Sequence, residues 1–203
     1  MKINVPEMID IVFDISGETP PSSYPFDLWA EMVRLSPQLA EQKHAGVLPI
    51  RLTEKNDQMP LPKRTKLALR LPAALADQVM TSMSEQKIEV DGCVLQIGKG
   101  KKRLIQPYST IHAQIVAGEP EETRFMDDIN IQLTELGLSG NLICGKQHSI
   151  NGGTQSIHGF SLVIHDLKPD ASLRLQYAGL GGLRQFGCGI FIPYKVISGL
   201  SDD

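Results

Sequence analysis

Twice along this chain the apolar pattern spells strand, helix, strand, strand, helix, strand, and that repeated order restricts the fold more than any single residue does. Residues 9–15, Ile-Asp-Ile-Val-Phe-Asp-Ile, alternate apolar and polar side chains with Val12 as the exception. They predict a strand that turn residues end between Gly17 and Pro21. Phe26, Trp29 and Val33 recur at helical spacing and predict a helix over residues 26–39, with Pro25 suited to the first turn and Pro37 ending or kinking it. Strands are expected over residues 47–52 and 66–71, the second setting Leu67, Leu69 and Leu71 against a basic face of Lys66, Ala68 and Arg70. A helix over 73–83 and a hairpin of residues 87–90 and 94–97 around Asp91-Gly92 complete the first half.

The second half predicts strand 110–116, helix 121–136 closed by Gly137, strands 142–145 and 157–164, helix 169–177, a glycine-rich segment and a last strand 189–194. Two βαββαβ units in tandem make an α+β fold of two ferredoxin-like (RRM-like) domains, residues 1–100 and 101–203, with the join near 98–107. With 203 residues, 41% hydrophobic and 21% charged, the chain suits one globular domain or two small ones and not a disordered or fibrous protein. No run reaches the roughly 18 apolar residues of a membrane span, so no membrane partner is expected. The opening residues 1–13, with Glu7 and Asp10, do not read as a signal peptide. Cys93, Cys144 and Cys188 form no C-x-x-C pair, so neither a disulfide framework nor a zinc knuckle is indicated, and a reducing cytoplasm fits.

The net charge of −3, from 20 Lys and Arg against 23 Asp and Glu, speaks against a nucleic-acid partner if taken as a sum, because phosphate binding needs clustered cations. The signs are segregated along the chain, however. Acid gathers at Glu119, Glu121, Glu122, Asp127, Asp128 and the Asp202-Asp203 tail, while base gathers at Lys63, Arg64, Lys66 and Arg70 and again at Lys99, Lys101, Lys102 and Arg103. Each basic run alone can be a solvated face; brought together, the two would make a patch for phosphates.

The segment Gly179-Leu180-Gly181-Gly182-Leu183-Arg184-Gln185-Phe186-Gly187-Cys188-Gly189 places five glycines in eleven residues around Arg184. Such a loop turns sharply and lets backbone N–H groups approach phosphates. It follows a helix and enters a strand, the reverse of a Rossmann fingerprint, and it is no P-loop. A tight helix-to-strand connection is the other use for the same glycines. The spacing Gly-apolar-Gly, five residues, Gly-x-Gly, followed by Ile190-Phe191-Ile192-Pro193, resembles the C-terminal glycine-rich motif of the CRISPR-associated family-six proteins, and more narrowly their MYXAN subtype. The resemblance extends to residues 9–15, to Gly46-Val47-Leu48-Pro49-Ile50-Arg51 and to Ser172-Leu173-Arg174-Leu175-Gln176.

That resemblance implies a CRISPR repeat RNA, often a hairpin, as ligand. It also implies cleavage of the precursor transcript into guide RNA without metal or cofactor. In such a reaction the ribose 2′-OH attacks the adjacent phosphate and leaves a 2′,3′-cyclic phosphate and a 5′-OH, which calls for a base, an acid and cations. His44, between the first helix and the second strand, stands where the family commonly places a catalytic histidine. Members of the subtype often carry a histidine before the proline of the 46–50 segment; here that position is Leu48. A catalytically silent hairpin-binding subunit therefore stays open beside the nuclease. His112, inside a predicted strand, reads as structural, while His148 in an expected 145–153 loop and His158 and His165 on a hairpin are available for RNA contact. No histidine pair has H-x-x-x-H spacing, so no metal site is expected.

The expected RNA-binding groups are Lys63, Arg64, Lys66, Arg70, Lys99, Lys101, Lys102 and Arg103, with Gly179, Gly181, Gly182, Arg184, Gly187 and Gly189 of the glycine-rich loop. With 5% aromatic residues, backbone and shape readout of a hairpin stem is expected ahead of base stacking. Other subunits of a CRISPR effector complex are expected partners, the acidic 119–128 stretch suiting a basic one. A third reading is a ferredoxin-like protein outside CRISPR that holds a small phosphate ligand on the glycine loop.

Overall fold

The computed structural model describes residues 5–50, 52 and 59–194 and shows two antiparallel sheets packed on helices. The first contains β1 (Met8–Gly17), β2 (Gly46–Val47), β3 (Lys66–Pro72), β4 (Lys87–Val90) and β5 (Cys93–Leu104), with α1 (Tyr24–Leu35) and α2 (Ala76–Met83). Its order is β2-β3-β1-β5-β4. The second contains β6 (Ile111–Ala117), β7 (Asn141–Gly152), β8 (Gln155–His165) and β9 (Ile192–Pro193) in the order β7-β8-β6-β9, with α3 (Glu122–Glu135) and α4 (Pro169–Ala178). Each sheet sets the first and third strands of a βαββαβ unit side by side at its centre, which is the ferredoxin-like arrangement. In the first sheet β4 is an added edge strand.

Local chemistry accounts for these elements. Ile9, Ile11, Phe13 and Ile15 share one face of β1 and pack on Leu28 and Met32 of α1 and Val79 and Met83 of α2. Pro37 lacks the N–H that would continue α1, and the chain proceeds as a short 3-10 turn, Pro37–Glu41. Asp91 and Gly92 both have positive φ, 51° and 79°, the signature of a two-residue hairpin turn. The Glu121 carboxylate caps α3 by accepting from the N–H groups of Thr123 (2.9 Å) and Arg124 (3.0 Å), and Gly137 at φ 64° ends it. Phe125, Ile129 and Leu133 of α3 then pack on Ile111, Ala113, Leu162 and Ile164 in a second core.

Three expected boundaries move. β5 runs through the expected join to Leu104, so residues 105–110 connect the sheets; Gly100 is needed inside it because a Cβ there would strike Phe13 and Met80. The strand expected at 47–52 shrinks to Gly46–Val47, since Pro49 cannot donate to a ladder, and Arg51 lies outside the described residues. The loop expected at 145–153 is strand: β7 continues to Gly152 past an irregularity between Cys144 and Gln147, and His148 pairs with Gly159.

The two halves meet along the glycine-rich connection. Leu48, Ala68 and Ile190 form a buried cluster joined by Val12 and Ile192, and Phe186 packs on Phe26 of α1 with ring centroids 4.8 Å apart.

Candidate nucleic-acid interface and catalytic turn

Strand register decides which cations share a face. β1 sets Asp10 opposite Arg70 and Arg103, Val12 opposite Ala68 and Lys101, and Asp14 opposite Lys66. Opposed residues point to the same side of a sheet, so these rows form the face turned from the apolar core. That face lines a cleft of about 1000 Å³ whose other walls carry His112, Gln114, Gln176 and Tyr194 of the second half. Arg64, Lys66 and Arg103 bring positive charge to it, and Tyr108 and Tyr194 stand about half-exposed beside them. Lys66 is ion-paired with Asp14 at the surface.

The expected basic face of β3 needs correction. Arg70 is 1% exposed, because the second half covers it. Its guanidinium makes a fork to Asp10, Nε–Oδ1 2.7 Å and Nη2–Oδ2 3.1 Å, and Nη1 donates to the carbonyls of Phe191 (2.7 Å) and Gln176 (3.3 Å). With these donors committed inside the protein, Arg70 is a tie between the halves and has none of the exposure that an RNA contact requires. Burial alone would raise the Asp10 carboxyl, but Arg70 and Arg103 outweigh it and hold the group below its usual range. Lys102 also leaves the patch: it pairs opposite Ile11 on the other face and reaches Asp77 of α2 at 2.7 Å. Lys63 and Arg64 are exposed on the turn before β3, and Lys99 and Lys101 are exposed on β5.

The glycine-rich loop also differs from a phosphate cradle. The N–H groups of Gly179, Gly181, Gly187 and Gly189 already donate to the Leu175 carbonyl (2.8 Å), Gln132 Oε1 (2.9 Å), the Arg184 carbonyl (3.0 Å) and the Ile115 carbonyl (2.8 Å). A Cβ on Gly181 would strike the Ala117 carbonyl and one on Gly189 the Leu180 carbonyl, both at positive φ. These glycines let the connection press against its own strands; Gly182, at φ 68° and with no atom within 4 Å of a Cβ, faces open space. Arg184 is 3% exposed, with Nε on the His44 carbonyl at 2.9 Å and Nη1 on the Gly189 carbonyl at 3.4 Å. Like Arg70, it is an internal clamp and is not exposed to phosphate.

His44 lies in the turn before β2, half-buried, and its ring hydrogen-bonds the Ala178 carbonyl at the end of α4. The structure thus brings the histidine and the glycine-rich loop into contact, across 140 residues of sequence. Burial, then the charge of Arg184 and that of Lys43, hold the imidazole below 6.5, with the Ala178 hydrogen bond opposing them. Leu48 is buried between the halves. His112 stacks edge-on with Tyr194 at 5.4 Å on the cleft wall, His158 shares a 2.9 Å hydrogen bond with Ser149, and His165 pairs with Asp166 at 2.8 Å. Among the described residues no three His, Cys, Asp or Glu side chains come together as metal ligands would, and no helix is long and apolar enough to cross a membrane.

Sequence reasoning missed Asp10, Gln176, Tyr108 and Tyr194. Asp10 stood in the sequence as one of two polar positions of an alternating strand, and only its burial under the second half sets it apart from Asp14; the others become neighbours only when the two sheets meet.

The fold and site define a tandem ferredoxin-like protein whose glycine-rich connection closes on the turn before β2. The family model described as Cas6 Crispr matches residues 9–196, and the chain belongs to the Cas6 family. It is 26% identical over 192 residues to the CRISPR-associated endonuclease Cas6 of Myxococcus xanthus, covering 94% of this chain and 83% of that protein. Among solved structures, a Cas6-related protein of Pyrococcus furiosus aligns with a TM-score of 0.66 at 11% identity over 95% of this chain and all of that one. A RAMP protein that binds different RNA substrates aligns at 0.64 and 10% identity over 90% and 98%. At such identities the likeness is one of fold.

Proposed function

We propose that this chain is an endoribonuclease that cuts CRISPR repeat RNA by metal-independent attack of the ribose 2′-OH on the adjacent phosphate, with His44 as the reacting acid–base group. The observation that carries this is the placing of His44: a half-buried histidine, held toward its neutral form, in the turn before β2, whose main chain is held by Arg184 of the glycine-rich loop. A neutral imidazole accepts the 2′-OH proton as the 2′-oxygen bonds to phosphorus, the P–O5′ bond breaks and the departing 5′-oxygen takes a proton from solvent, while Lys43 beside the histidine offers a cation for the developing phosphorane charge. The RNA lies along the cleft, where Arg64, Lys66 and Arg103 meet phosphates, with Lys101 exposed on the same face of β5 and Lys63 and Lys99 exposed on the flanking segments. Afterwards the protein keeps its product and serves as a subunit of a guide-RNA effector complex in the cytoplasm. Leu48 supports a second reading, a silent hairpin-binding subunit, because an apolar residue fills a position where the subtype often has histidine.

The test is to incubate end-labelled repeat RNA, and the same RNA with its stem scrambled, with the protein in EDTA. A single cut in the intact repeat only, leaving a 2′,3′-cyclic phosphate, is the expected result. Tight binding of the repeat without a cut would transfer the case to the silent subunit.

A further inference from the structure

The C-terminal end of α4 gathers three basic side chains from three parts of the chain. The Gln176 carbonyl accepts from Arg70 Nη1 at 3.3 Å and Arg184 Nη2 at 3.5 Å, and the Ala178 carbonyl takes the His44 ring. A helix leaves its last carbonyls without intrahelical donors and carries partial negative charge there, which draws cations. Arg184 links the others, since the same guanidinium also holds the main chain of His44 and of Gly189. The fit is close on both sides: a Cβ on Gly46 would strike the Arg184 backbone, and one on Gly179 would strike its Nη1.

We propose that Arg184 is a positioning residue, one that seats the His44 turn on the end of α4 through the hydrogen bonds from its buried guanidinium, and that it does not touch RNA. The proposal rests on the reading of His44 as the reacting group. The charged groups acting on His44 are Arg184 from the glycine loop and Lys43 from its own turn; Arg70 and Asp10 act on Arg184 from the far side. Burial and the Arg70 charge lower the Arg184 guanidinium to about 9, so it stays protonated near neutrality and its charge favours neutral imidazole.

The experiment compares wild type, Arg184→Gln and Arg184→Lys by NMR titration of the His44 ring and by cleavage of repeat RNA at saturating protein. Gln keeps amide donors and loses the charge; Lys keeps the charge and loses the fork. Arg184→Gln should raise the His44 midpoint, and both variants should cut about 10- to 100-fold more slowly, the scale of small misplacements of a reacting group, while RNA affinity stays within about threefold. An unchanged His44 midpoint in Arg184→Gln would overturn the proposal. So would a wild-type saturating rate with weakened affinity and a shallower salt dependence, the mark of a lost phosphate contact. The titration needs no RNA, so a protein that does not cut would sink the nuclease reading and still decide this one. Should Arg184→Gln fail to fold, Arg184→Lys decides, with wild-type His44 ring shifts and rate as the overturning result.

Discussion

Asp10 and Arg70 face each other across β1 and β3 as an ion pair, Nε–Oδ1 2.7 Å, beneath the second half of the chain. Both side chains are almost fully buried, and the arginine carries the hydrogen bonds onward to the Phe191 and Gln176 carbonyls. Removing one partner strands the other's charge in a desolvated place, so Arg70→Ala should cost about 3–5 kcal/mol in urea unfolding. The pair also sets an acid limit. Because the Asp10 pKa is depressed in the folded protein, its contribution is complete above the ordinary value of 3.8 and fades as pH falls through the lower folded value. Asp10→Asn should therefore flatten the stability-against-pH curve below that value. Gly189 tests the glycine signature at the same scale: its φ of 64° and the Leu180 carbonyl in the path of a Cβ mean that Gly189→Ala should destabilise by more than about 1–2 kcal/mol, read as a lower urea midpoint.

Strand alternation governs what was legible at the level of elements. β1, the Asp91-Gly92 hairpin, α3 with its Gly137 stop and α4 all follow from local pattern, because each depends on apolar spacing or a turn residue near in sequence. The basic runs misled for the same reason. Period two splits Lys101 and Arg103 from Lys102, and it turns Arg70 toward a surface that only the second sheet covers. Nothing local to β3 announces that cover, and the role proposed for His44 comes from the family resemblance and not from its own segment. Replacing Lys66, Lys101 or Arg103 by Ala should weaken RNA binding and lower the slope of log affinity against log salt by about 0.7–0.9 each. Lys102→Ala, paired with Asp77 on the opposite face, should leave that slope unchanged. Filter binding across a salt series checks both.

For the whole molecule, the glycine-rich connection joins two ferredoxin-like units into one functional arrangement. It ties β2 and α1 of the first half to α4 and β9 of the second, with Phe186 on Phe26, Arg184 on His44 and Ile190 on Leu48. Gln176 lines the cleft, and its carbonyl accepts from Arg184, which also donates to the His44 carbonyl, so the end of α4 connects the cationic cleft with the His44 turn. With His44 as the base of the proposed reaction, burial and the charges of Arg184 and Lys43 put its pKa below the ordinary 6.5, so the acid limb of the rate profile should fall below that value. The most direct test is single-turnover cleavage of repeat RNA in EDTA by wild type and His44→Ala, with RNA affinity measured on the same preparations. A cut that disappears in His44→Ala while affinity stays within about threefold is the expected result, since the cleft cations that set affinity are untouched. A His44→Ala protein that cuts at the wild-type rate would contradict it and move the chemistry to another residue.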